Sequence, residues 1–292
     1  MSEGFPTELH GRRLSVGATE LWVETAGEVG STVLLLAGSD APGSTWPQSF
    51  VAGLVDDGFR VLRFDYRDCG RSSRVQPSFE YSLDDLAADA IAILDQLRID
   101  RVHLVGFSMG AMVGQVLALQ HGDRVASLCL LSGTPGAGDE RLSEPEAGFV
   151  ERIVRRHLDG PPTDRVGVIE WLVERDELLA GSFVPFDRAG ARLRAQQLYE
   201  DGQWLSSGHG EAIHRSPSRL DRLAEIRQPT LVIHGSADPV YPTDHAKALA
   251  AGIHGAVLME IEELGHELPE PLLEQLRPIV VEHFRAAGAR EP

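Results

Sequence analysis

Cysteine is nearly absent: Cys69 and Cys129 are the only two among 292 residues. That excludes a disulfide framework, and a chain of this length can bury a sizeable core without covalent or metal staples. Cys69 follows a run that reads as a strand and Cys129 sits inside another, so both are expected as small core residues. No run of eighteen apolar residues occurs, so no segment is expected to span a bilayer. The first residues, Met1-Ser2-Glu3-Gly4-Phe5, lack the basic and apolar regions of a secretory signal, which makes the cytoplasm the expected location. Positive charge is scarce: 27 Lys and Arg stand against 44 Asp and Glu, a formal charge of −17. Nucleic acid and anionic membranes recruit dense Lys/Arg clusters; none is found, so neither is an expected partner. Repeats and low-complexity tracts are also missing.

What remains is ordinary globular composition, 42% hydrophobic and 24% charged. Stretches 11–17 and 20–26 alternate apolar and polar around Gly17 and predict an antiparallel hairpin. Thr32-Val33-Leu34-Leu35-Leu36-Ala37 is continuously apolar, as a strand buried on both faces should be. The same type recurs at 60–64, 102–106, 128–131, 230–233 and 256–261. Helical periodicity lies between, most clearly over Leu83–Leu97, with Ser82 as N-cap and Asp84 and Asp85 in the first turn. Further helices are expected over 47–55, 109–120 and 244–251, and a last one after Pro269, kinked or restarted at Pro278. Strands alternating with helices predict a doubly wound, mostly parallel sheet. Residues 136–222 break that alternation: they carry helical patterns and no buried strand. They are expected to form a helical cap over the C-terminal edge of the sheet, with 1–135 and 223–292 as the core domain.

Gly106-Phe107-Ser108-Met109-Gly110 joins a predicted strand to a predicted helix, the context of a nucleophile elbow. The turn is sharp enough that small residues are needed two before and two after the serine, and it seats the hydroxyl above a helix N-terminus. Gly235-Ser236-Ala237-Asp238-Pro239-Val240 follows the strand at 229–234, and Gly265-His266-Glu267 follows the last strand. Ser, Asp, His is the chain order of the α/β-hydrolase triad. Ser108 is therefore the candidate nucleophile, His266 the base and Asp238 the orienting acid. The rivals are His103, His157, His209, His214, His234 and His245 for the base, and Asp40 and Asp139 for the acid. An oxyanion hole needs two backbone N–H groups, and the amides of Met109 and Ser39 are the candidates.

The chain resembles the α/β-hydrolase superfamily from residue 11 to the last helix. Four segments sharpen the resemblance: Asp65-Tyr66-Arg67-Asp68-Cys69-Gly70-Arg71-Ser72, 106–110, Val184-Pro185-Phe186-Asp187, and Asp238-Pro239. Together they are similar to the aclacinomycin methylesterase type, which removes a methyl ester from a glycosylated aromatic polyketide. That resemblance implies an α/β-hydrolase fold with a helical cap over an apolar pocket, no cofactor and no metal, and the same triad and amides. The segment 65–72 is expected to be a structural turn. The loop after the first buried strand departs from the pattern. Where relatives commonly have His-Gly or Gly-Gly, it reads Ala37-Gly38-Ser39-Asp40, and a carboxylate facing the hole would repel an oxyanion.

The expected activity is hydrolysis of a carboxylic ester through an acyl-enzyme, on a small hydrophobic substrate. Lactone opening, carbon–carbon bond hydrolysis and cofactor-free perhydrolysis share the apparatus, and a ligand receptor on the same scaffold is the non-enzymatic alternative. Trp171, Phe183, Phe186, Tyr199 and Trp204, all within the inserted segment, are the candidates for lining an apolar pocket.

Overall fold

The computed structural model describes residues 8–75, 80–202 and 207–289. The alternating stretches become β1 (His10–Val16) and β2 (Thr19–Ala26), an antiparallel hairpin that turns at Gly17, where a φ of 57° suits glycine. The apolar runs become β3 (Thr32–Leu36), β4 (Arg60–Phe64), β5 (Val102–Phe107), β6 (Val125–Leu131), β7 (Thr230–Gly235) and β8 (Val257–Ile261). All eight form one sheet in the order β1-β2-β4-β3-β5-β6-β7-β8. β2 runs antiparallel to β4, and every pairing from β4 across to β8 is parallel. β3, β5 and β7 are buried at every position, which is why their sequences do not alternate.

The helices in chain order are α1 (Gln48–Asp56), α2 (Leu83–Leu97), α3 (Met109–Gln120), α4 (Ala147–Asp159), α5 (Arg165–Leu179), α6 (Arg188–Glu200), α7 (His209–Arg215), α8 (Thr243–Gly252) and α9 (Glu270–Gly288). One face of the sheet packs on α2, α3 and α8 through Leu86, Ile93, Met112, Val116 and Leu249. The other packs on α1 and α9 through Val51, Leu54, Leu276, Val280 and Phe284. At the start of α2 the Ser82 N–H donates to Asp85 Oδ2 at 2.8 Å, half of a capping box. α9 is not restarted at Pro278; it runs unbroken from Glu270 to Gly288. Its buried face, with Leu272, Leu273, Leu276, Val280, Val281 and Phe284 against the sheet, outweighs the roughly 3 kcal/mol that an interior proline costs.

α4 to α7 lie between β6 and β7, and the described residues of 136–222 contain no strand. α5 and α6 share a small apolar core of Val168, Ile169, Leu172, Val173, Ala191 and Ala195, separate from the two clusters that flank the sheet. The segment's ends meet at a neck. There the Arg219 N–H donates to Pro135 O at 2.7 Å, and the buried guanidinium reaches Gln115 Oε1, Pro217 O and Thr134 O. Burial lowers the Arg219 pKa to about 10. Residues 65–72 form a tight turn after β4: Asp65 accepts the Gly43 and Arg71 amides at 2.7 Å each, and Arg67 forms a two-point pair with Asp89. These bonds give the turn a structural task. Cys69 and Cys129 are buried and unpaired, and burial raises both thiols above their ordinary range.

Candidate active site

β5 ends at Phe107, and α3 begins at Met109, so Ser108 alone makes the turn, at φ 53° and ψ −116°. This is a strained conformation for a residue with a side chain. The flanking glycines have a steric reason. A Cβ on Gly106 would lie 2.4 Å from Gly110 O, and one on Gly110 would lie 2.3 Å from Leu36 O. The turn leaves Ser108 half-buried, while Asp238 and His266 beside it are buried.

The loops after β5, β7 and β8 converge. His266 Nε2 stands 2.8 Å from Ser108 Oγ, and His266 Nδ1 stands 2.7 Å from Asp238 Oδ2. An ionised carboxylate only accepts, so Nδ1 carries the proton and Nε2 is free to accept from the serine hydroxyl. Asp238 Oδ1 accepts the Val240 and Tyr241 amides at 2.8 and 2.9 Å. Burial alone would raise this carboxyl, but attraction to His266 when that ring is protonated, the His266 hydrogen bond, His234 and the Tyr241 amide together hold it below its ordinary value. The His266 ring lies between Phe107 (centroids 5.1 Å apart) and Tyr241 (5.7 Å), which restrict its rotation.

Gly38 brings the loop after β3 to the nucleophile: a Cβ on Gly38 would sit 3.5 Å from Ser108 Cβ. Among the described residues, the Ser39 and Met109 amides are given to no hydrogen-bond acceptor. Asp40, at φ 56°, turns its carboxylate away to Ser207, accepting the Ser207 N–H at 2.8 Å and hydroxyl at 2.5 Å. The carboxylate is thus committed to the inserted segment.

Of the rivals, the His157 side chain lies outside the described part of the structure, and most of the others are engaged elsewhere. Asp139 is bound to Arg141, whose guanidinium, chiefly by its hydrogen bond, holds the carboxyl well below its ordinary range. His103 lies inside β5, stacked on Phe284 and bonded to Ser127. His245 bridges Thr134 and Ser143, and His214 is exposed on α7. His234 donates from Nε2 to Tyr241 O at 2.7 Å, closing the acid loop, with Nε2 3.6 Å from Asp238 Oδ2. Sequence reasoning missed that supporting role, although the four-residue spacing of His234 and Asp238 was a usable signal.

The aromatic candidates divide. Trp171, Phe186 and Tyr199 pack against the α5–α6 core, and Trp171 lies under the Arg156 guanidinium, 4.3 Å from its ring centroid. These contacts give all three a packing role inside the inserted segment. Phe183 instead packs with the sheet cluster that holds Phe107 and Leu264, close to the base loop. Trp204 lies outside the described residues, and nothing is assigned to it.

The inserted segment grips the acid, base and β3 loops of the site. Glu146 N–H donates to Pro239 O on the acid loop. On the base loop, His266 N–H donates to Leu179 O at 2.7 Å, Ser182 and Phe183 donate to Glu263 O, and Gly181 donates to Glu267 Oε1. Asp40 on the β3 loop is held by Ser207. Among the described residues no group of His, Cys, Asp and Glu has the arrangement of a metal site, and no helix is long and apolar enough to cross a membrane.

Residues 32–270 match the family model described as the alpha/beta hydrolase fold. The chain belongs to the α/β-hydrolase family. As an enzyme of that family it is 34% identical to the rhodomycin D methylesterase DnrP of Streptomyces peucetius, over 94% of this chain and 98% of that protein. It is 29% identical to a 2-hydroxy-6-oxononadienedioate/2-hydroxy-6-oxononatrienedioate hydrolase of Paraburkholderia xenovorans, over 86% and 85% of the two chains. Among solved structures, the enol-lactonase of Burkholderia xenovorans superposes with a TM-score of 0.73 at 25% identity, covering 94% of this chain and all of that one.

Proposed function

We propose that this α/β-hydrolase cleaves a carboxylic ester through an acyl-enzyme. Ser108 Oγ attacks the ester carbonyl while His266 Nε2 takes its proton and then returns it to the departing alcohol. Water, deprotonated by the same nitrogen, releases the acid. Asp238 keeps the proton on His266 Nδ1 and stabilises the imidazolium. The amides of Ser39 and Met109 hold the oxyanion of each tetrahedral intermediate. The observation that carries this reading is the unbroken line Ser108 Oγ–His266–Asp238, with contacts of 2.8 and 2.7 Å, at a strained elbow.

The substrate class we assign is a methyl ester of a bulky, polyketide-like aromatic acid, supported by the rhodomycin D methylesterases at 34 and 35% identity over nearly the whole chain. Residues 136–222 act as a cap that selects it, with Phe183 on the substrate side. The grip of this segment on the acid, base and β3 loops supports that assignment. A second reading, carbon–carbon bond hydrolysis, has one observation in its favour, the 29% identity to the oxononadienedioate hydrolase.

The test is turnover of methyl esters, aryl esters, lactones and vinylogous diketones, followed by mass spectrometry. Preference for bulky aromatic methyl esters supports the assignment; exclusive turnover of the diketones would replace it with the second reading. Stoichiometric labelling of Ser108 by a small fluorophosphonate separates an enzyme from a ligand receptor.

A further inference from the structure

His209 is wholly buried, 57 residues before the base in sequence and on the inserted segment, yet it bonds to the loop beside the nucleophile. Its Nδ1 accepts the Asp40 N–H at 3.0 Å, and its Nε2 lies 3.0 Å from Arg67 O. A backbone N–H can only donate and a carbonyl can only accept. The ring is therefore the neutral tautomer with its proton on Nε2. Burial lowers its pKa, which keeps it in that form. Tyr66 and Tyr81 meet the ring edge-on, at centroid distances of 5.8 and 6.2 Å, and fix its plane.

The bond matters because of where Asp40 stands. The Ser39 amide lies between two fixed points. On one side Gly38 is packed against Ser108. On the other, Asp40 is pinned in the left-handed region, its N–H by His209 and its carboxylate by Ser207. With Gly38 held at one end and the Ser39–Asp40 peptide plane held at the other, the Gly38–Ser39 peptide that carries the Ser39 N–H is restrained from both sides. The same segment is anchored a second time, since Gly208 N–H donates to Asp68 Oδ2 at 2.7 Å and Tyr81 Oη lies 3.3 Å from the same oxygen.

We propose that His209 is a positioning residue for the oxyanion amide of Ser39, through which docking of the inserted segment sets the geometry of the hole. This rests on the reading of Ser39 as an oxyanion donor and Ser108 as the nucleophile. Asp40, which looked like a carboxylate misplaced beside the hole, is the receiving end of this device. Removing an oxyanion donor outright costs about 10²–10³-fold in rate; misaiming one should cost less, about tenfold, and should act on kcat.

Two amide substitutions separate the two ring nitrogens. In His209→Asn the side-chain oxygen falls where Nδ1 was and keeps an acceptor for Asp40 N–H. In His209→Gln the amide reaches toward Arg67 O and the Asp40 acceptor is lost. Full-length wild type and both variants are compared for the rate of Ser108 labelling by a small fluorophosphonate, whose phosphonyl oxygen occupies the same hole. The kcat and KM on a hydrolysed ester and the melting temperature are measured alongside. The expected result is labelling and kcat about tenfold slower in His209→Gln, an unchanged KM, and His209→Asn within about threefold of wild type despite any fall in melting temperature in either variant. If both variants label at the wild-type rate, or if Gln and Asn lose rate equally, the positioning role is overturned while the wild-type labelling leaves Ser108 as nucleophile. If wild type itself is not labelled, the nucleophile reading fails and takes this proposal with it. Should either variant fail to fold, Ser207→Ala, which releases the hydroxyl bond to the Asp40 carboxylate, serves in its place. It is expected to slow labelling with KM unchanged, and wild-type labelling by this variant would overturn the part of the proposal in which docking of the inserted segment on Asp40 sets the hole.

Discussion

Asp238 is held at both oxygens, one by two backbone amides and the other by His266, so its carboxylate has no freedom to turn from the imidazole. Asp238→Asn keeps the shape but offers His266 Nδ1 a competing donor and favours the wrong tautomer; kcat should fall about 10⁴-fold. Asp139→Asn should leave kcat within about twofold, because that carboxylate serves Arg141 at the surface. Steady-state kinetics of the two variants test this, and the reverse order would move the acid to the loop after β6. Ser108→Ala should abolish turnover and keep the melting temperature, since the hydroxyl lies on a half-buried turn. These three residues were legible because each follows a strand in a short local motif. His209 was not, because Asp40 and His209 are separated by 169 positions and no local pattern marks a histidine that receives a distant amide.

At the scale of elements, close backbone approach explains two pairs of glycines. Gly106 and Gly110 let β5, α3 and the end of β3 meet at the elbow. Gly181, between α5 and α6, and Gly265, before the base, face each other in the same way. A Cβ on Gly181 would lie 2.1 Å from Glu263 O and 2.4 Å from Gly265 N, and one on Gly265 would lie 2.3 Å from Leu179 O. These neighbours are backbone atoms and cannot rotate aside. Gly181→Ala should therefore push the inserted segment off the base loop and strain the His266–Leu179 bond. A loss of about 1–3 kcal/mol in stability is expected, with a fall in kcat larger than that of an alanine substitution at exposed Gly210. Chemical denaturation and kinetics of the pair check it; equal behaviour would show that the contact yields. The elbow glycines could be read from their motif, whereas the pairing of Gly181 with Gly265 depends on docking between distant segments.

The whole molecule carries several histidines buried in neutral form. Burial lowers His103 to about 4, with His283 and Arg101 adding to the effect, and lowers His209 and His234 below their ordinary value. A folded-state pKa below the unfolded one, near 6.5, means that the unfolded chain takes up protons first as pH falls. The stability these groups contribute is therefore complete above about pH 6.5 and lost as pH falls toward their folded values. For His103, a depression to about 4 corresponds to about 3 kcal/mol. Asp65 and Asp89, whose carboxyls burial raises, work in the opposite direction at the acid end. Urea midpoints should decline between pH 7 and pH 5, and His103→Gln should flatten part of that slope. An unchanged midpoint across this range would contradict the buried neutral assignment. The −17 charge adds to acid sensitivity little in this window, since most of its carboxylates titrate lower.

Local chemistry in the chain determined the strand and helix alternation, the parallel sheet and the elbow, because continuous apolar runs, helical periodicity and the steric demand for small residues all act within a few positions. It also determined that Ser108, Asp238 and His266 follow three strands whose ends share one edge. Tertiary structure decided what depends on contacts between distant segments. Trp171, Phe186 and Tyr199 pack against the core that α5 and α6 share, a contact that depends on how those two helices meet. The helix through Pro278 stays whole because the sheet beneath it supplies more burial than the proline removes. Asp40 turns from the hole because Ser207 and His209, brought in from the far side of the chain, supply the hydrogen bonds its amide and carboxylate require.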